Sequence, residues 1–79
     1  MEIKVLGTGC ANCKALEKNV INALAEMDYP ANVEKVEDIT KIMSYGILST
    51  PGLVIDGKVV LSGRVPAINE LKEIIEKNK

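Results

Sequence analysis

Histidine, tryptophan and phenylalanine are absent from this 79-residue sequence, and Tyr29 and Tyr45 are its only aromatic residues. Without histidine the commonest general base is missing, and with it every Cys–His or Ser–His–Asp nucleophile arrangement. A closed structural zinc site needs four Cys or His ligands, and this chain has two cysteines in all. Two tyrosines make no base-stacking platform, and a net charge of −1 gives no electrostatic grip on nucleic acid or an anionic membrane. No stretch approaches the roughly 20 apolar residues that span a bilayer. The start, Met1-Glu2-Ile3-Lys4-Val5-Leu6-Gly7, has neither the basic region nor the long apolar region of a secretory signal. A cytoplasmic setting is therefore expected.

What is present is a hydrophobic fraction of 47%, enough for a real core. The length allows one domain, residues 1–79, which buries only about 60–65% of its unfolded surface. Such small domains often carry a staple. Cys10 and Cys13 are a poor one, because a loop this short restricts the unfolded chain very little. Their purpose reads as chemical.

No repeat, linker or low-complexity run interrupts the chain. Ile3, Val5 and Leu6 form an apolar run ended by Gly7-Thr8-Gly9, which predicts a buried strand. From Cys13 onward Leu16, Val20, Ala23, Leu24 and Met27 recur at helical spacing, until Asp28-Tyr29-Pro30 closes the helix. Asn32 to Glu37 predicts a weaker strand, at an edge or bulged, because Val33 and Val36 do not alternate. Asp38 is placed to cap a short helix with Ile39, Ile42 and Met43, and Gly46 to end it. Leu53-Val54-Ile55 and Val59-Val60-Leu61 flank Asp56-Gly57-Lys58, a strong hairpin signal. Pro66 opens a last helix with Ile68, Leu71, Ile74 and Ile75 on one face, and Lys77 and Lys79 complement its C-terminal dipole. The expected α/β order is β-α-β-α-β-β-α. The first two strands should run parallel through a right-handed crossover and the hairpin antiparallel, with helices on both faces of the mixed sheet.

Cys10-Ala11-Asn12-Cys13 falls where the first strand hands over to the first helix. The free N–H groups and dipole of a helix start favour a thiolate, and cysteines so placed titrate at about 3.5 to 7.5 instead of near 8.5. The spacing lets a disulfide close and reopen with little backbone movement, and Gly7 and Gly9 leave the approach open. Cys10, at the loop end, is expected to be the exposed nucleophile, and Cys13, one turn in and near the buried stripe, to resolve the mixed disulfide. Lys14 adds a positive charge beside them, although a solvated lysine is the more ordinary reading. Two buried, inert cysteines are the bland alternative, against which stands their place beside glycines at a helix start. Met27 and Met43 sit at core spacing, and Glu17, Glu26, Glu70, Glu73 and Glu76 fall on polar helix faces.

Two resemblances bear on the choice of chemistry. Gly7-Thr8-Gly9-Cys10-Ala11-Asn12-Cys13 resembles the metal loop of heavy-metal-associated copper-chaperone domains, and two thiolates can hold Cu(I). Those domains end in a strand, where this chain predicts a helix, and usually carry methionine at the place of Thr8. Taken together with Tyr45-Gly46-Ile47-Leu48-Ser49-Thr50-Pro51, the cysteine pair resembles the thioredoxin-like superfamily, and in particular small prokaryotic redox-active disulfide proteins, over essentially the whole chain. That resemblance implies a thiol–disulfide oxidoreductase with Cys10 and Cys13 as catalytic residues and no bound cofactor or metal. It implies that Pro51 is cis and packed across from the cysteines, and that the Thr50 backbone pairs with an extended substrate segment. It also implies protein disulfides as substrates and a reductase, of the flavoprotein thioredoxin-reductase type, as recycling partner. A reductant and a monomer are the expectations, and Gly63 matches a glycine common in the superfamily. The departures are Gly9 and Ala11-Asn12, where thioredoxins proper carry Trp and Gly-Pro, and Lys4, which corresponds to their buried acid. The glutathione-site residues of glutaredoxins are not clearly present, and Arg64 reads as a surface arginine.

Overall fold

The computed structural model describes residues 1–79. The chain runs β1 (Glu2–Leu6), α1 (Ala11–Met27), β2 (Asn32–Val36), α2 (Ile39–Ser44), β3 (Gly52–Ile55), β4 (Lys58–Ser62) and α3 (Ile68–Lys77). The strands form one sheet in the order β2-β1-β3-β4. β1 pairs parallel with β2 and antiparallel with β3, and β3 pairs antiparallel with β4. The expected order and the mixed sheet are both realised. β2 lies at the edge, in keeping with its irregular pattern, whereas the bulge falls elsewhere: the β3–β4 register shifts between Leu53 and Val54.

Side-chain alternation along β1 divides the interior in two. Ile3 and Val5 face α1 and α3, in a cluster with Leu16, Val20, Ala23, Leu24, Leu53, Ile55, Leu61, Leu71 and Ile75. Leu6 points the other way, into a smaller cluster with Val36, Ile42, Ile47 and Val54 under α2. β3 is buried along its whole length because it feeds both clusters and lies between two strands. The stripe read from the α1 sequence is the buried one, with Met27 packed partly against the larger cluster.

The helix starts and one core assignment refine the sequence reading. α1 begins at Ala11, ahead of its apolar stripe, because Cys10 caps it. α3 begins at Ile68 rather than at Pro66, whose carbonyl instead accepts a hydrogen bond from Asn19 Nδ2 at 3.2 Å. α2 is only six residues long and buries Ile42 alone. Met43, which its spacing assigned to the core, is 63% exposed, and Ile39 is 60% exposed. A helix this short has one narrow face against the sheet, so apolar residues flanking that face are left outside. The hairpin turn is as expected: Asp56 and Gly57 have φ of 49° and 85°.

The larger cluster carries most of the apolar burial, which sets up a comparison within one residue type. Ile75→Val removes a fully buried methylene and is expected to cost about 0.5–1.5 kcal/mol in denaturant unfolding. Ile21→Val, at a position 50% exposed, is expected to stay within about 0.5 kcal/mol of the parent.

Candidate redox site

The site is assembled by three adjacent strand ends. Leu6 pairs with Val36 on one side and with Gly52 on the other. The next step along both ladders sets Gly7 beside Glu37 and across from Pro51, and the Gly7 N–H donates to the Val36 carbonyl at 3.0 Å. The loop Gly7-Thr8-Gly9 then turns into α1, with Gly9 at a positive φ of 85°.

Cys10 and Cys13 are joined in a disulfide, their Cα atoms 5.1 Å apart. Cys10 occupies the N-cap of α1, and its Sγ accepts a hydrogen bond from the Cys13 N–H at 3.2 Å. Sequence reasoning placed Cys10 in the loop before the helix without seeing that its own sulfur supplies the cap. The consequence is electrostatic: a helix-start N–H aimed at Sγ, together with the dipole behind it, favours negative charge on that sulfur. Cys10 is exposed, whereas Cys13 is 5% exposed. Cys13 lies so close to Gly7 that a β-carbon there would stand 2.8 Å from Cys13 Cβ.

The Thr50–Pro51 peptide bond is cis, with Pro51 buried and Thr50 exposed. The Pro51 carbonyl accepts from the Gly63 N–H at 2.8 Å, which ties the end of β4 to this loop. No hydrogen bond within the chain takes up the Thr50 backbone. Beside Thr8 and Thr50 lies an apolar shelf formed by Ile39, Met43 and Leu48. Leu48 is 98% exposed, an unusual state for a leucine beside two other exposed apolar side chains. The sequence signal was available: Leu48 sits between glycine and proline in a segment too short to fold back over it.

Lys4 does not lie under the cysteines. Alternation along β1 puts it on the α2 side, opposite Val5 and Gly7, and its Nζ donates to Tyr45 Oη at 3.4 Å. Its pKa is held above the ordinary lysine value, first by that hydrogen bond and then by the charges of Tyr45 and Glu34. Arg64 is paired with Glu70 at 2.5 Å, which raises the arginine and lowers the carboxyl, in each case chiefly through the hydrogen bond. Beyond the disulfide no three His, Cys, Asp or Glu side chains come together in a metal-binding group, and no helix is long and apolar enough to cross a membrane.

The Thioredoxin domain family model matches residues 1–76. A thioredoxin of Methanothermobacter thermautotrophicus is 41% identical over 75 residues, covering 95% of this chain and 97% of its own. A thioredoxin of Methanocaldococcus jannaschii is 35% identical over 71 residues, covering 90% of this chain and 81% of its own. Neither these likenesses nor a fold that closes on α3 rather than a strand favours the copper reading. A capped, exposed sulfur bonded to a buried one, a cis-proline at the end of the neighbouring strand, this sheet and these relatives lead to one conclusion: the chain belongs to the thioredoxin family of thiol–disulfide oxidoreductases.

Proposed function

We propose that the chain, acting as one domain over residues 1–79, reduces protein disulfides by a two-cysteine exchange. Cys10 attacks the partner's disulfide as a thiolate and forms a mixed disulfide with it. Cys13 then attacks Cys10 Sγ, and the partner leaves reduced. The observation that carries this division of labour is the difference in depth across the disulfide, with Cys10 exposed at the helix N-cap and Cys13 5% exposed behind it. An incoming sulfur has access to Cys10 alone.

Thr50 and Pro51 are the proposed docking residues. The Thr50 backbone groups are unused within the chain, so an extended partner segment can pair with them in the manner of an added strand. The apolar shelf of Ile39, Met43 and Leu48 offers that segment a place for an apolar side chain. A reductase, of the flavoprotein thioredoxin-reductase type, would restore the dithiol. The reductant direction accords with a reducing cytoplasm, the compartment proposed here because a closely spaced redox pair suits it.

Cys10→Ser is expected to abolish disulfide reduction, and Cys13→Ser to accumulate covalent mixed disulfides, both read by mass spectrometry of the quenched reaction. Persistent reduction by Cys10→Ser would overturn the assignment. Equilibration with dithiol buffers is expected to give a two-electron transition near about −270 mV, whereas one near about −120 mV would make the protein an oxidant. Leu48→Asp is expected to raise KM for a protein disulfide several-fold while leaving the reaction with a small disulfide unchanged. An equal effect on both would remove the shelf from substrate binding.

A further inference from the structure

The exchange proposed above requires a buried thiol to lose a proton, and the structure bears on where that proton goes. Burial in apolar surroundings disfavours the Cys13 thiolate, and at 5% exposure bulk water has little access to its sulfur. Lys4 is on the far face of the sheet and, as a cation, has no site to accept a proton.

Beside Cys13 there is a cleft of about 30 Å³, room for one or two waters, bounded by Val5, Gly7 and Gly9. Its ionisable lining comes from two elements: Lys14 on α1, and Lys35 and Glu37 from β2 and the residue after it. The register explains the grouping. Lys35 pairs with Val5, and two residues on Glu37 comes beside Gly7, so both fall on the face that carries the start of α1. The Glu37 carboxylate lies against Gly9, its Oε2 3.2 Å from where a β-carbon of Gly9 would stand. Lys35 is turned partly toward Glu17, at 3.9 Å, which leaves Glu37 without an ion pair of its own. Of the groups facing the cleft, the two lysines can only donate. Glu37 is the one proton acceptor.

Resting on the two-cysteine reading, we infer that Glu37 receives the Cys13 proton, through water in the cleft, when the mixed disulfide is resolved. The Cys13 sulfur then uses the freed electron pair to bond Cys10 Sγ. The bond between Cys10 and the partner breaks, and the partner sulfur leaves with its electron pair as a thiolate at the exposed Cys10, where solvent supplies its proton, while Glu37 passes the Cys13 proton on to solvent. Lys14 and Lys35 offset the negative charge while Cys13 is ionised.

The variant that tests this also sets two effects against each other. Glu37→Gln removes the acceptor, which slows resolution, but it also removes a negative charge near Cys13, which by itself would favour the thiolate and speed resolution. Glu37 is exposed, so the substitution leaves the core untouched. The full reduced chain is mixed with dithiobis(nitrobenzoate) in a stopped-flow instrument. The first thionitrobenzoate released reports attack by Cys10 and the second reports resolution by Cys13. Glu37→Gln is expected to keep the first phase and to slow the second about tenfold near pH 6. The gap should close by about pH 9, where hydroxide ionises the thiol unaided. A second phase that is unchanged, faster, or slowed equally at every pH overturns the role of Glu37 while leaving the two-cysteine exchange intact. Loss of the first phase from the parent chain would remove both.

Discussion

The reactive end of the molecule depends on the approach of α1 to the end of β1, which is possible only because Gly7 has no side chain. A β-carbon at that position would stand 2.8 Å from Cys13 Cβ, closer than non-bonded carbons tolerate. With the glycine there, the first turn of α1 settles onto the strand end. Cys13 is then carried into the interior, and Cys10 is left at the cap with its sulfur under the helix N–H groups. The asymmetry between the two sulfurs thus follows from a missing methyl group as much as from the cysteines themselves. The cleft beside Cys13 exists for the same reason, since Gly7 and Gly9 form part of its wall.

Alternation along the strands does the rest of the sorting. The face shared by Val5 and Lys35 carries α1 and the cysteines, and the face shared by Lys4, Leu6, Glu34 and Val36 carries α2. A charged residue one position along a strand therefore belongs to a different microenvironment, although in sequence it is a neighbour. Lys4 bonds to Tyr45 on one side of the sheet, while Lys35 and Glu37 border the buried sulfur on the other.

Much of this was legible in the sequence. The α1 stripe, the Asp56-Gly57 turn and the Cys10–Cys13 spacing are each dictated by local chemistry, and each is found where the pattern placed it. Features that depend on which element lies beside which were not legible. Met43 has a core residue's spacing, yet a six-residue helix offers only Ile42 to the sheet. The ladder shift at Leu53 and Val54 leaves no mark in an apolar run that reads the same with or without it. The cleft lining combines Lys14 with Lys35 and Glu37, residues brought together only by the parallel pairing of β1 with β2. The shelf at Leu48 was not read from the sequence, in which Ile39 and Met43 were assigned to the apolar face of the short helix.

The displaced register of the β3–β4 hairpin has a consequence of its own. A sheet in the order β2-β1-β3-β4 ends in two strands whose outer backbone groups have no ladder partner, and such margins invite another chain to add itself. On the β4 side, the extra residue facing the Leu53–Val54 step twists the margin away from the flat, evenly spaced template that a foreign strand requires. On the β2 side, the adjacent charges of Glu34 and Lys35 interrupt the apolar surface on which two sheets would meet. Both borders of the sheet thereby discourage lasting pairing with another chain.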